Sequence, residues 1–314
     1  MSGTAVATQH LLGLEGVSRP DIQQFLDTGF MFREVLDRPI KKVPTLTGIN
    51  VVNLFFEPST RTRMSFELAE KRLSAEVINF SASQSSLDKG ESLKDTVRNI
   101  HAMKMDAVVM RHPAPGSVRQ LSQFVDAVVI NAGDGTHEHP TQALLDIMSL
   151  HERFGRVKNL KIGIIGDIAH SRVALSNIFG LITMGAKVTV CGPGHLIPPF
   201  IADLGVAVTT DTDAVLDDTD AVNVLRIQRE RMGVGMIPSV REYRSRFGIT
   251  NERLSRHKKE LVILHPGPVN RGVELDSDVV DGDQAIILDQ VINGVAIRMS
   301  VLYHLLGANP PEGT

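Results

Sequence analysis

The chain contains no tryptophan, two tyrosines and one cysteine in 314 residues, and aromatics make up 4% of it. Each scarcity closes a class of function. A lone cysteine, Cys191, can form neither an internal disulfide nor a multi-cysteine zinc site. Following Val188, Thr189 and Val190, it reads as a buried thiol at the end of a strand. So few aromatics leave no platform for stacking nucleobases, and a net charge of −3 with a pI near 6.4 gives no general attraction to nucleic acid. No stretch is long and apolar enough to span a bilayer, and residues 1–9 lack the basic start and apolar core of a signal peptide. No membrane partner and a cytoplasmic location are therefore expected. His137-Glu138-His139 has metal-like spacing without a companion cluster of ligands, so no metal is expected. Gly163-Ile164-Ile165-Gly166 lacks the G-x-G-x-x-G spacing, which makes a dinucleotide site improbable and leaves no cofactor implied.

What is present is cationic and concentrated. Residues 51–56 form a short β-branched and aromatic run of the kind found in buried parallel strands. Pro58 and Ser59 supply a break and a cap, and from Thr60 the period turns helical, with Phe66, Ala69 and Leu73 on one face. A helix N-terminus carries unpaired N–H donors and about half a positive charge, so Asp or Glu usually sits in the first turn. This chain places Arg61 and Arg63 there. The conflict is relieved if an anion binds, and Ser59, Thr60, Arg61 and Thr62 read as a phosphate cradle of backbone donors, hydroxyls and a guanidinium.

Strand and helix alternate along the whole length, which predicts α/β architecture with parallel sheets wrapped by helices. At 314 residues there is room for two domains. The first series of strands lies at 51–56, 76–80, 106–110 and 126–130, and His139-Pro140 opens a helix running to about Phe154. A break at 155–159 precedes a second series at 161–165, 187–191, 206–209, 221–225 and 261–264. The domains are expected over 1–150 and 151–290, with a long apolar helix at about 283–306 crossing back to pack on the first.

In parallel sheets ligands lie beyond the carboxyl ends of the strands. Every distinctive motif falls at such an end: Ser59 to Thr62, Arg111-His112-Pro113, His139 with Gln142, Arg172, Arg226 with Gln228, and His265-Pro266-Gly267-Pro268. The sequences FFEPSTRTR, HPTQALLD, RIQ and HPGPVNRG, in that order across nearly the whole chain, closely resemble the bacterial aspartate carbamoyltransferase catalytic chains of the transcarbamoylase family.

That resemblance implies two α/β domains joined by two helices, the first binding carbamoyl phosphate and the second L-aspartate. It implies transfer of the carbamoyl group to the aspartate α-amine, giving N-carbamoyl-L-aspartate and phosphate, an early step of pyrimidine biosynthesis. Thr62, Arg111 and His139 would hold the carbonyl oxygen. Ser59, Thr60, Arg61 and Thr62 would hold the phosphate, with Arg61 stabilising its departure. Gln142 and the backbone carbonyls of Pro266 and Gly267 would accept from the carbamoyl NH₂. Arg172 and Arg226, with Gln228, would grip the two carboxylates. Ser86 and Lys89 match a loop that reaches into the neighbouring subunit's site, which implies a homotrimer. Some members assemble further with a regulatory chain or a dihydroorotase-like partner. Ornithine carbamoyltransferases share the phosphate motif but typically present a Cys where His265-Pro266-Gly267-Pro268 stands, and Arg226-Ile227-Gln228 adds a second carboxylate clamp, so aspartate is the expected substrate. A non-enzymatic phosphate-binding subunit would leave gaps in this set, and none is found.

Overall fold

The structure is a computed structural model that describes residues 6, 8–81, 98, 102–227, 239–257 and 260–307. The chain divides into two units, Met1–Met148 with Ile292–Thr314, and Ser149–Val291. Each is built on its own parallel sheet. In the first unit β1 (Asn50–Phe55), β2 (Glu76–Ser81), β3 (Ala107–His112) and β4 (Val128–Asp134) lie in the order β2-β1-β3-β4. Parallel neighbours need crossover connections that cover the sheet faces. This is why Val51 to Phe55 are buried without alternation.

Helix α1 (Arg19–Leu36) starts at Ser18, whose hydroxyl accepts from Asp21 N. Helix α2 (Thr60–Arg72) buries Phe66, Ala69 and Leu73 completely, as their spacing requires. Further along lie α3 (Ser117–Ser122) and α4 (Pro140–Phe154). The second unit orders β5 (Lys161–Ile165), β6 (Lys187–Cys191), β7 (Ala207–Thr209), β8 (Ala221–Val224) and β9 (Val262–Leu264) as β7-β6-β5-β8-β9. Its helices include α5 (Arg172–Thr183), α6 (Thr212–Asp218), α7 (Val240–Phe247), α8 (Asn251–Leu254) and α9 (Ser277–Val280). The last helix, α10 (Ile287–Leu306), belongs to the first unit from Ile292 onward. There Ser300 Oγ donates to Phe25 O at 2.7 Å and Tyr303 meets Phe32 edge-on at 5.8 Å. Cys191 ends β6 fully buried, and burial pushes its thiol up to about 11.

Two local expectations shift. Strand β4 runs on to Asp134, past the expected end at residue 130, because Asn131 N donates to Leu11 O at 2.9 Å and Asp134 N to Glu138 O at 3.1 Å. Helix α10 begins at Ile287 instead of about 283, since Ile263 N donates to Gln284 O at 2.8 Å and Ile286 N to Ile263 O at 3.0 Å, drawing those residues alongside β9 first. The sequence also reads as a helix from about Ser92 to Met103, a stretch that lies largely outside the described residues.

Both strand orders reverse once, between β1 and β3 and between β5 and β8. Connections leave such a pair in opposite directions and open a crevice at its carboxyl end. Beneath the first crevice, Glu70 of α2 is fully buried and accepts from Asn53 Nδ2 at 2.8 Å. Burial raises this carboxyl from 4.5 to about 8, against the lowering effect of the Asn53 bond. A raised folded value means that the stability Glu70 contributes is full below 4.5 and is lost as pH climbs through about 8. Glu70→Gln cannot ionise. In urea unfolding its stability is expected to gain on the parent by a few kcal/mol between about pH 5 and about pH 9, whereas a constant gap would mean that Glu70 titrates normally in the fold.

Candidate active site

The first crevice is built from the ends of β1 and β3. Phe56 N donates to Arg111 O at 2.9 Å, which keeps the two chains paired one residue past β1. The turn Glu57-Pro58 then delivers Ser59 to the N-cap of α2. Ser59 sits at the cap with φ −160° and ψ 87°, yet its side chain makes no capping hydrogen bond; its carbonyl alone opens the helix, accepting from Arg63 N at 3.2 Å. The first turn holds no acidic residue. Thr62 turns inward and is buried, while Thr60 and Arg61 are exposed.

Arg111, near the end of β3, is held from both sides. Its Nε lies 3.3 Å from Glu57 Oε2, and Nη1 donates to Ala132 O at 3.3 Å. At the start of α4, His139 is buried and Gln142 N donates to its carbonyl at 3.0 Å. Gln142 Nε2 donates to Asp146 Oδ1 at 2.9 Å, so the amide's NH₂ end is engaged and its orientation is set. Asp146 acts electrostatically on Arg298 of α10, a fully buried guanidinium lying 5.0 Å over the Phe66 ring and donating to Ser65 Oγ at 2.9 Å. Burial lowers Arg298 to about 10, and Asp146 opposes that shift.

The loop between β4 and α4 is fixed by buried acids. Asp134 accepts from Gly116 N at 2.8 Å, Asn131 Nδ2 at 2.8 Å, Glu138 N at 3.1 Å and His137 Nδ1 at 3.1 Å. Burial alone would raise its carboxyl, but these bonds outweigh it and hold it below the ordinary value, while Asp134 raises His137. Glu138 accepts from Leu14 N at 2.7 Å and Glu15 N at 3.1 Å. The middle residue of His137-Glu138-His139 is thus engaged in anchoring the N-terminal segment.

In the second unit β5 is followed by Gly166, with φ +136°, where a Cβ would come within 3.1 Å of Leu225 Cβ. Glycine therefore lets the strands of the switch point approach. Asp167 follows, then Ser171, whose hydroxyl caps α5 through Ala174 N at 3.2 Å. Arg172 is the first residue of α5 and is buried, unlike the solvated loop arginine that a bare strand end suggests. Across from it, Leu225 N donates to Ile165 O at 2.8 Å, and Arg226 comes next, half-buried. After β9, His265 is buried, with Nδ1 accepting from Gly267 N at 2.7 Å and Nε2 lying 3.3 Å from Glu274 Oε1. Glu274 also takes Asn270 N at 2.6 Å, and Asn270 Nδ2 reaches Ile227 O at 3.2 Å. Pro266 and Gly267 lie in this pinned loop, which has a cis peptide between Gly267 and Pro268.

Ser59, Thr60, Arg61, Thr62 and Arg111 gather at the first crevice with His139 and Gln142 at the neighbouring helix start, all in the first unit. Arg172, Arg226, Pro266 and Gly267 lie in the second. Ser86, Lys89 and Gln228 lie outside the described residues. Sequence reasoning overlooked Glu57, Asp134, Glu274 and the Asp167–His170 pair as the groups that position these residues. Glu57 stood inside the first motif and could have been paired with Arg111; the contact of Ser65 with Arg298 joins residues too far apart in the chain to leave a signal.

Two parallel α/β units, each presenting cations past the carboxyl ends of its switch-point strands, define an enzyme class that handles small anions. The family model for the aspartate/ornithine carbamoyltransferase carbamoyl-P binding domain matches residues 9–152, and that for the Asp/Orn binding domain matches 158–305. The chain belongs to the aspartate/ornithine carbamoyltransferase family. It is 58% identical to the aspartate carbamoyltransferase catalytic subunit of Christiangramia forsetii, over 96% of this chain and 97% of that one, and 56% identical to that of Gemmatimonas aurantiaca, over 96% and 94%. Aspartate transcarbamoylase from Trypanosoma cruzi, solved with N-(phosphonacetyl)-L-aspartic acid, superposes with a TM-score of 0.84 at 31% identity, covering 95% of each chain. Ornithine carbamoyltransferase from Pyrococcus furiosus reaches 0.86 at 26% identity, covering 98% of this chain and 100% of that one. Backbone similarity is therefore common to both substrate types, and the choice between them rests on side chains.

Glu138→Ala strips two backbone donors of their acceptor. It is expected to lower the unfolding free energy by about 2–4 kcal/mol in urea titrations; a loss below about 0.5 kcal/mol would mean that water replaces the carboxylate.

Proposed function

We propose that this chain transfers the carbamoyl group of carbamoyl phosphate to the α-amine of L-aspartate, releasing N-carbamoyl-L-aspartate and phosphate for pyrimidine synthesis. The observation that carries this reading is the first turn of α2, which has no side-chain capping bond from Ser59, no acidic residue and an exposed Arg61. Such a turn offers backbone donors and positive potential to a dianion.

The first unit serves as the carbamoyl phosphate side. Ser59, Thr60, Arg61 and Thr62 take the phosphate oxygens. Thr62, Arg111 and His139 donate to the carbonyl oxygen, which becomes an oxyanion when the amine attacks, and preorganised donors stabilise that charge most. The Glu57 contact supports this role for Arg111, because it fixes the guanidinium before substrate arrives. Gln142 has its NH₂ end on Asp146, which leaves its carbonyl oxygen to accept from the carbamoyl NH₂. Pro266 and Gly267 carbonyls share that task. As the tetrahedral centre collapses, the C–O bond to phosphate breaks, Arg61 stabilises the departing charge, and the phosphate takes the amine proton, so no protein base is required.

The second unit serves as the aspartate side, with Arg172 and Arg226 as carboxylate clamps beside Gln228. Each site is completed by Ser86 and Lys89 of a neighbouring copy, in a cytoplasmic homotrimer that can combine with a regulatory or dihydroorotase-like chain. The naming of curated relatives as aspartate carbamoyltransferase catalytic subunits supports aspartate over ornithine.

Arg61→Ala is expected to cut turnover by about 10²- to 10³-fold or more with an unchanged melting curve, as the side chain is exposed and outside the apolar face. Near-parental turnover would remove the residue from the site. Mixing Lys89→Ala chains with Arg61→Ala chains is expected to restore part of the activity through sites assembled from both; no recovery at any ratio would argue for sites complete within one chain.

A further inference from the structure

We propose that His170 is a further substrate-binding residue, held by the buried Asp167 so that its outer ring nitrogen donates to a carboxylate of the amino-acid substrate. The inference rests on the reading of the second unit as the aspartate side.

His170 lies in the loop that leaves β5 at the switch point, two residues before Arg172 opens α5. Its Nδ1 stands 3.0 Å from each oxygen of Asp167, and its backbone N donates to Oδ1 at 3.1 Å. The Asp167 side chain is 1% exposed and that of His170 23% exposed. A buried carboxylate has to be met by donors, so the proton on the inner nitrogen is fixed and Nε2 faces away from the pair.

A structural anchor for Asp167 would need only the inner donor. Imidazole adds a second nitrogen on the far side, and no hydrogen bond to Nε2 is found among the described residues. The contrast is with His265, where Nδ1 is met by Gly267 N and Nε2 by Glu274, both within a fully enclosed side chain. There both nitrogens hold the loop; in His170 one nitrogen holds and the other is presented.

The electrostatics suit a dicarboxylate. Arg172 and Arg226 already bring two positive charges to the ends of β5 and β8. A further side chain that brought net positive charge would repel them, whereas the ring of His170 is seated on the Asp167 carboxylate, so the pair adds no net positive charge to the site. Ser171, between His170 and Arg172, accepts from Ala174 N and is committed to the cap of α5, while the outer nitrogen of His170 meets no group among the described residues.

The two amide replacements separate the nitrogens. His170→Asn keeps a donor near Nδ1 and deletes the outer one, while His170→Gln reaches further and carries its amide near Nε2. With carbamoyl phosphate saturating, His170→Asn is expected to raise the KM for aspartate by about 10- to 100-fold, with kcat changed far less. Its carbamoyl phosphate affinity by calorimetry and its melting temperature are expected to match the parent. His170→Gln is expected to recover part of the loss. An unchanged aspartate KM in His170→Asn, or a larger rise in His170→Gln than in His170→Asn, would overturn the assignment, the latter by making the inner nitrogen the one that matters. A parent enzyme that forms no carbamoyl-aspartate would instead overturn the reading of the site on which the inference rests.

Discussion

A carboxylate taken out of water must be surrounded by donors, and this demand fixes the loops that carry the chemistry. Asp134 gathers donors from the loop after β4 and the Gly116 turn. Asp167 takes His170 twice after β5, and Glu274 takes His265 and Asn270 after β9. Each acid is nearly or completely buried. Loops on a parallel sheet are connections over its rim, with no ladder of their own to hold them. A buried acid supplies the fixed point that the ladder cannot, and every loop so anchored presents a residue proposed here to touch substrate.

The sheets decide where those loops meet. With the order reversing between β1 and β3, and between β5 and β8, each unit has one place where connections part. At the first, cations come from a helix start and from a strand end. Arg61 is carried by the backbone of α2, and Arg111 by β3 with Glu57 as its brace. At the second, Arg172 begins a helix and Arg226 follows a strand. The same construction appears in both units, with one guanidinium at a helix N-terminus and one at or just past the end of a neighbouring switch-point strand.

The first crevice also has a foundation. Ser65 of α2, Asp146 of α4 and Arg298 of α10 form a buried polar group behind it, with Phe66 beneath the guanidinium. Helices α4 and α10 are also the elements within which the chain passes from one unit to the other. A buried guanidinium is costly unless met from several sides, so this group favours one arrangement of α2, α4 and α10. That arrangement sets the positions of His139, Gln142 and the first turn of α2.

Much of this was legible in the sequence because it is local. Short apolar runs and the 3.6-residue period locate most strands and helices to within a few residues, since burial of a run or of one helix face is a property of neighbours in the chain. The turn proposed to hold phosphate was legible for the same reason, because a proline break, a cap position and two arginines in one turn express their conflict within nine residues. The burial of Arg172 at a helix start, the late beginning of α10 beside β9 and the extension of β4 to Asp134 were not; the last two depend on hydrogen bonds to Ile263 and Leu11, far away in the chain. What the sequence by itself determined is the list of chemical groups and the strand ends from which they leave. Only the tertiary structure decided which strands became neighbours and which acid braces which cation, because those outcomes depend on contacts between residues the chain keeps far apart.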